Sequence, residues 1–530
     1  MNSALRFRVS LKAQLVISEL SRPRGTWMQP NAGNKTTTRV CVPVCEKNLD
    51  ALRSAFERAV EWADFVELRF DCLDSTPENI TELLDDRPVI LTFRPSEQGG
   101  HRNLSHAERE TFWKTAPRGD TVWWDVEGEL VQDLSPDWSR VIASHHDFSG
   151  VPIDLQQIYE RLAKTPAHVL KIAVQAHDIV DCIPVFQLLD RARRDGREII
   201  AIAMGNAGIA TRILGPSRGS FLTYGALDEE SATAPGQVNA AKLRSLYHID
   251  QIDDETMICG LIGRPVMHSV SPHIHNTAFA EQGINGVYLP FEVNDVDSFF
   301  PRMVDPRTRE LNWNLRGLSV TAPHKQSVMK HLDWIEPNAK EIGAVNTVVI
   351  ENDRLLGYNT DAAGLIEPLL QRFGSLVDQK VAVIGAGGAA RAAIWGLQQQ
   401  KARVTLFARN VKKAQPLAEL FNISCELLST AKFAGYDLVI NTTPLGSGEH
   451  IDKSPATAGQ LNGAHCIYDL IYNPIETKLM REARQAGCET LGGMEMLVAQ
   501  AKLQFELWTG KQARLHRDQS FWSQTTPRPG

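Results

Sequence analysis

At 530 residues the chain is long enough for two large hydrophobic cores, and 56 Lys and Arg against 63 Asp and Glu leave a formal net charge of −7. That mildly acidic balance argues against a nucleic-acid-binding protein, and no apolar stretch reaches the length needed to span a bilayer. Cys41, Cys45, Cys72, Cys182, Cys259, Cys425, Cys466 and Cys488 are scattered without Cys-x-x-Cys or zinc-type spacing, which predicts a reducing compartment and no metal site.

The first 39 residues carry Arg6, Arg8, Lys12, Arg22, Arg24, Lys35 and Arg39 against Glu19 alone. Such a balance occurs in organelle transit peptides, although the segment is not serine-rich. Residues 1–38 are expected to be a basic, disordered extension of a cytoplasmic protein, with plastid import as the alternative.

From there, short apolar runs recur at 39–45, 65–71, 88–94, 121–127, 140–146, 168–174, 198–204 and 221–227. Amphipathic stretches such as 49–62, 155–162 and 180–194 separate them, an alternation that yields a parallel sheet with crossover helices. Eight such units in this length predict a closed (β/α)8 TIM barrel. Within the sixth run Lys171 stands where Val or Ile is usual. An ammonium inside a buried strand is desolvated, which favours the neutral amine that attacks a carbonyl to form a Schiff base. The competing reading is a lysine that snorkels from a strand end into solvent. Glu67, Arg69, Arg94, Glu127, His146 and Lys171 are all expected late in their strands, converging on one mouth.

Apart from Glu127, those positions lie in Glu-Leu-Arg-Phe-Asp at 67–71, Thr-Phe-Arg-Pro at 92–95, His-Asp-Phe at 146–148 and Leu-Lys-Ile-Ala at 170–173. Together with Arg212 and Ala-Pro-Gly-Gln at 234–237, they resemble type I 3-dehydroquinate dehydratase over residues 39–248. The resemblance implies a Schiff base on Lys171, His146 as proton carrier and Glu67 orienting the imidazole. It also implies Arg212 on the substrate carboxylate, with Arg69, Arg94, Thr233 and Gln237 as further substrate contacts. Gln98, beside Glu97, departs from the glutamate that many relatives carry. His145 and His146 point to opposite strand faces, and the His-Asp-Phe context selects His146.

An acidic joint with Asp250, Asp253, Asp254 and Glu255 marks a linker at 249–256. Beyond it, an apolar run at 381–384 leads into Gly385-Ala386-Gly387-Gly388-Ala389-Ala390-Arg391 and a helical segment, which reads as a dinucleotide loop. The next strand, 403–407, ends in Arg409 and Asn410 where an NAD-binding fold usually places an acid, so NADP is expected. Lys413, beside Lys412, is either a further phosphate contact or a solvated helix start.

Around this unit stand Gly-Arg-Pro-Val-Met-His-Ser-Val-Ser-Pro at 263–272, Ser-Val-Thr-Ala-Pro-His-Lys at 319–325, Gly-Ala-Val-Asn-Thr at 343–347 and Tyr-Asn-Thr-Asp at 358–361. With Asn-Thr-Thr-Pro-Leu-Gly at 441–446, Tyr472 and Gln500 they resemble shikimate dehydrogenase. The resemblance implies Lys325 and Asp361 as the catalytic couple, and Ser269, Ser271, Thr321, Asn346, Tyr472 and Gln500 as substrate contacts. Taken singly, Ser271-Pro272 and Asp361 also suit helix caps, and Asn346 a turn.

The expected architecture is therefore α/β throughout: a barrel at 39–248, a substrate lobe at 257–374, a Rossmann NADP lobe at 375–492 and a helix at 493–515 returning to the substrate lobe. The implied function is dehydration of 3-dehydroquinate followed by NADPH-dependent reduction to shikimate, with small-molecule partners alone. The alternatives are a non-catalytic regulator resembling quinate-pathway repressors, or a dehydrogenase half that acts on quinate.

Overall fold

The computed structural model describes residues 38–75, 87–228 and 232–513. Apart from Thr38, the expected basic extension lies outside them. Residues 38–228 build an eight-stranded parallel sheet from β1 (Val40–Val44), β2 (Phe65–Arg69), β3 (Val89–Thr92), β4 (Val122–Glu127), β5 (Val141–Asp147), β6 (Val169–Gln175), β7 (Glu198–Met204) and β8 (Thr223–Tyr224). Each strand pairs with its successor as far as β7, and β8 pairs with β1. The ring closes where Phe221 N–H donates to Ile199 O at 2.7 Å.

The predicted runs and strands coincide within a few residues, except that the last run contracts to a two-residue strand. Gly219, at φ +98°, and Gly225, whose Cβ position is filled by Ala240, bracket that shorter element. Burial on both faces explains why these strands read as continuous apolar runs. The helix Leu49–Ala59 turns Leu52, Ala55, Phe56 and Ala59 inward, and the Asn48 side chain accepts from Ala51 N at its start. Such a cap contributes about 1 kcal/mol.

One expectation is corrected here. Cys45 and Cys72 are joined as a disulfide, because the carboxyl ends of β1 and β2 are neighbours although 27 residues separate the cysteines. His101 adds a third potential ligand beside them, so the absence of a metal cluster does not follow from spacing alone.

The second sheet contains β9 (Met257–Gly263), β10 (Gly286–Glu292), β11 (Leu315–Val320), β12 (Trp334–Ile335), β13 (Thr347–Glu351) and β14 (Arg354–Tyr358). Its order is β10-β9-β11-β13-β14-β12, and β13 runs antiparallel to both neighbours. The third sheet is wholly parallel: β15 (Lys380–Ile384), β16 (Arg403–Ala408), β17 (Ser424–Leu427), β18 (Leu438–Asn441), β19 (Cys466–Asp469) and β20 (Glu489–Leu491).

Its order, β17-β16-β15-β18-β19-β20, is the 3-2-1-4-5-6 arrangement of dinucleotide-binding folds. The final helix, Gly493–Thr509, packs on the helix Asp361–Phe373, and Trp508 Nε1 donates to Val348 O at 3.1 Å. Contact is close at Gly364, where a Cβ would lie 2.9 Å from the Gln500 backbone nitrogen. Between barrel and second sheet, Asn294 donates from its backbone to Asp178 Oδ2 at 2.6 Å and from its amide to His177 O at 2.9 Å. The acidic joint is itself tied down, since Asn285 Nδ2 donates to Asp253 Oδ1 at 2.9 Å.

Candidate active sites

Within the barrel, the Lys171 amine donates to Asp125 Oδ2 at 2.7 Å and to the Tyr224 hydroxyl at 2.8 Å, with Glu67 Oε1 3.9 Å away. It stands third in a seven-residue strand, not late as expected, because β6 runs on to Gln175. That depth puts the amine among polar groups from β2, β4 and β8 instead of in solvent, which disposes of the snorkelling reading.

Arg94 bridges two members of the site. Its Nη2 lies 2.7 Å from Asp125 Oδ2, and its Nη1 meets Nε2 of His146 at 2.5 Å. Burial first, then the positive charges of Arg94 and Lys171, hold the His146 imidazole well below the usual histidine range. Neutral at physiological pH, it has a buried Nδ1 without a hydrogen-bond partner among the described residues. Because a guanidinium can only donate, Nε2 is the acceptor and the basic nitrogen of the neutral ring, and Nδ1 carries its proton. Burial acts on Asp125 in the opposite sense, but Arg94 and Lys171 overcome it and hold the carboxyl well below its ordinary value. Glu127, between Arg94 and Arg109, is pushed up to about 7 by burial.

Glu67 accepts from Thr92 Oγ1 at 2.6 Å and faces Lys171, so the ring of His146 meets Arg94 and not, as expected, Glu67. His145 is half-buried on the opposite strand face. Arg69 is clamped by Asp71 through two bonds of 2.8 and 2.7 Å and donates to Gly99 O at 3.1 Å. Arg212 is buried, its Nη2 donates to Pro235 O at 3.3 Å, and burial lowers it to about 10. No carboxylate among the described residues pairs with it. Such a guanidinium suits an anion. On the same loop, the amide of Gln237 exchanges hydrogen bonds with Thr233, while Gln98 points toward Glu129.

The second constellation forms between the other two sheets. Lys325 Nζ donates to Asp361 Oδ2 at 2.5 Å, and Asn346 Nδ2 donates to Asp361 Oδ1 at 2.8 Å. Asp361 opens the helix Asp361–Phe373, where the macrodipole favours a carboxylate. Asn359 Oδ1 accepts from Ala362 N, leaving both Asp361 oxygens to these partners. Asn346 also reaches Thr360 at 2.9 Å and Gln500 at 3.5 Å, so it is more than a turn residue. Ser269 Oγ donates to Ser271 Oγ at 3.1 Å and accepts from Ser271 N at 3.2 Å. Tyr472 packs, partly buried, against Val270, Ile274, Val498 and Ala501, and Thr321 packs against Gly263.

The glycine loop runs beside this couple. Gly385 has φ +114°, and a Cβ there would strike Thr442 Oγ1 at 2.6 Å, so the turn requires glycine. Gly387 has open space where its Cβ would be, while a Cβ on Gly388 would come within 3.0 Å of Lys325 Cδ. The helix Gly388–Gln399 begins there, carrying Ala389 in its first turn and presenting free backbone N–H groups. Ala386 lies between the two turn glycines. Gly385 and Thr442 follow β15 and β18, the adjacent strands at which the order reverses, the position where such sheets take ligands.

Family profiles match both halves of the chain. That of type I 3-dehydroquinase matches residues 40–254, and that of the shikimate dehydrogenase substrate-binding domain matches 261–348. Profiles of shikimate/quinate 5-dehydrogenase and of the shikimate 5-dehydrogenase C-terminal domain match 367–455 and 493–516. A chloroplastic bifunctional 3-dehydroquinate dehydratase/shikimate dehydrogenase of Arabidopsis thaliana is 33% identical over 510 residues, covering 90% of this chain and 83% of its own length. The chain belongs to that bifunctional family.

Its second half is also similar to the shikimate dehydrogenase (NADP(+)) of Caldanaerobacter subterraneus, 40% identical over 49% of this chain and 94% of the relative. That of Methanococcus maripaludis is 38% identical, covering 49% and 94% respectively.

Several groups in this bifunctional chain escaped sequence reasoning. Asp125 and Tyr224 sit on different strands, so no local pattern joins them to Lys171. Gln504 accepts from Ser319 at 2.9 Å and donates to Thr347 at 3.0 Å, one helical turn beyond Gln500. That four-residue spacing was a usable signal. Asn410 is spent partly as a helix cap, accepting from Lys413 N at 3.1 Å, whereas Arg409 is exposed at the end of β16. No helix among the described residues is long and apolar enough to cross a membrane.

Proposed function

We propose that the two halves carry out consecutive steps: dehydration of 3-dehydroquinate to 3-dehydroshikimate at 39–248, and reduction of that ketone to shikimate at 257–515. The observation that carries this reading is Lys171, a buried amine held by Asp125 and Tyr224 opposite a neutral imidazole. Nζ adds to the ketone of 3-dehydroquinate, water leaves, and the resulting iminium acidifies the adjacent carbon. His146 takes that proton and returns it to the departing hydroxyl; hydrolysis then frees Lys171. Arg212 holds the substrate carboxylate, with Arg69, Arg94, Thr233 and Gln237 around the hydroxyls.

In the second half, Gly385, Ala386, Gly387, Gly388 and Ala389 fit a dinucleotide pyrophosphate, with Arg409, Asn410 and Lys413 near the 2′-phosphate of NADP. When bound, the nicotinamide supplies the hydride. Lys325 donates the proton that the carbonyl oxygen gains, and Asp361 and Asn346 keep its amine in place. Ser269, Ser271, Thr321, Tyr472 and Gln500 bind the hydroxyls and carboxylate; the serine pair favours shikimate over quinate.

The test is purified full-length protein mixed with 3-dehydroquinate and NADPH. Cofactor oxidation with shikimate formation supports both assignments. Silence, even when 3-dehydroshikimate is supplied directly, supports the repressor-like alternative. The chloroplastic relative and the basic residues 1–38 favour the plastid over the cytoplasm, and imaging of a fluorescent fusion carrying them distinguishes the two.

A further inference from the structure

Three side chains outside both active sites converge on the barrel rim. Cys45 follows β1, Cys72 ends the turn Phe70–Cys72 after β2, and His101 lies on the loop after β3. The cysteines are disulfide-bonded with Cα atoms 5.4 Å apart, and both sulfurs and an imidazole nitrogen lie within 4.8 Å of one another. His101 is exposed and the cysteines are half-buried, so small solutes reach the cluster.

Bonds other than the disulfide hold the cluster together. Asp74 N donates to Lys47 O at 2.9 Å, joining the two cysteine-bearing loops, and His101 N donates to Asp71 Oδ2 at 3.0 Å. At the base of the third loop, Ser96 N donates to Arg102 O at 2.9 Å. The three ligands therefore stay assembled once the sulfur–sulfur bond is opened.

We propose that in the reduced protein Cys45, Cys72 and His101 form a binding site for a thiophilic divalent cation of the zinc class, exclusive with the disulfide. Reduction by a dithiol transfers two electrons and two protons, breaks the Cys45–Cys72 bond and releases the donor as its own disulfide. Cation binding then displaces the two thiol protons. Two zinc–sulfur bonds of about 2.3 Å at a tetrahedral angle require sulfurs about 3.8 Å apart, with His101 and water in the remaining positions. Side-chain rotation on Cα atoms 5.4 Å apart supplies that separation. The site lies one hydrogen bond from substrate-side chemistry, since Asp71, which accepts from His101 N, also clamps Arg69.

The test is Co2+ titration of full-length protein, metal-stripped and reduced with a phosphine, followed by Zn2+ competition. A near-ultraviolet thiolate-to-cobalt band is expected, saturating at one equivalent and bleached by Zn2+. It should be absent after oxidation with diamide and absent in Cys45→Ser, while His101→Ala weakens binding at least about tenfold. Thermal melting of each variant confirms that it is folded. No band in the reduced wild type, a band that survives oxidation or Cys45→Ser, or unchanged affinity in His101→Ala would overturn the proposal.

Discussion

Replacing Asp125 with Asn removes one charge at nearly constant shape and tests how the dehydratase half holds its amine. Asp125 is fully buried, and its Oδ2 lies 2.7 Å from both Lys171 Nζ and Arg94 Nη2. At an effective dielectric constant of about 20, each attraction is worth roughly 6 kcal/mol before desolvation of the carboxylate is subtracted. Deleting one member of such a buried set costs about 3–5 kcal/mol, because the remaining charges stay in the interior without their partner. For a barrel of this size that corresponds to a fall of roughly 6–20 °C in the dehydratase melting temperature.

Thermal inactivation of both activities in the full chain reads this out, with the dehydrogenase as internal reference. At permissive temperature kcat for dehydration should fall about 10- to 100-fold as Lys171 loses its anchor. Borohydride trapping of the substrate adduct, followed by intact mass, locates the loss at imine formation. A barrel transition unchanged by Asp125→Asn would refute the buried counter-ion argument.

Lys171→Ala should abolish dehydration and the borohydride-trapped adduct while NADP-linked oxidation of shikimate persists; a trapped adduct in the variant removes the Schiff-base role. Lys325→Ala or Asp361→Asn should give the reverse pattern, lowering dehydrogenase kcat about 10²-fold or more with dehydration intact. Arg409→Asp should raise KM for NADP at least about tenfold and leave NAD nearly unchanged, roughly the 1.4 kcal/mol of one lost phosphate contact; an unaltered cofactor ratio excludes Arg409 from the site.

His275, buried against Tyr288 and Trp508, is lowered to about 3 by burial. Its unfolded form protonates near pH 6.5, so below that pH the unfolded chain binds the extra proton and stability falls as pH drops toward 3. Relative to wild type, His275→Gln should flatten urea-unfolding stability between pH 6.5 and 4.5 by up to about 1.4 kcal/mol per pH unit. Parallel pH profiles would show that the ring is solvated.

The barrel was legible because strands buried on both faces write themselves as apolar runs, and the glycine loop because Gly385 permits no side chain at its φ of +114°. Pairings across distance were not. Tyr224 reaches Lys171 from 53 positions away, and Cys45 meets Cys72 because β1 and β2 lie in register, a contact absent from local spacing. The antiparallel β13 was likewise hidden, since a strand's apolar content carries no direction. Glu67 was assigned to His146 by resemblance, whereas Thr92 on the adjacent strand competes for its carboxylate in this structure.

The helix Gly493–Thr509 supplies Gln500 and Gln504 to a pocket whose other walls were laid down from residue 257 onward. During synthesis, amino-terminal domains fold first, at about 5–20 residues added per second. A ribosome therefore releases a barrel with its strands complete through Tyr224 well before the dehydrogenase pocket can close. The nascent chain acquires its two activities in the order in which the reactions use them, and a chain stalled before residue 493 would produce 3-dehydroshikimate that it cannot reduce.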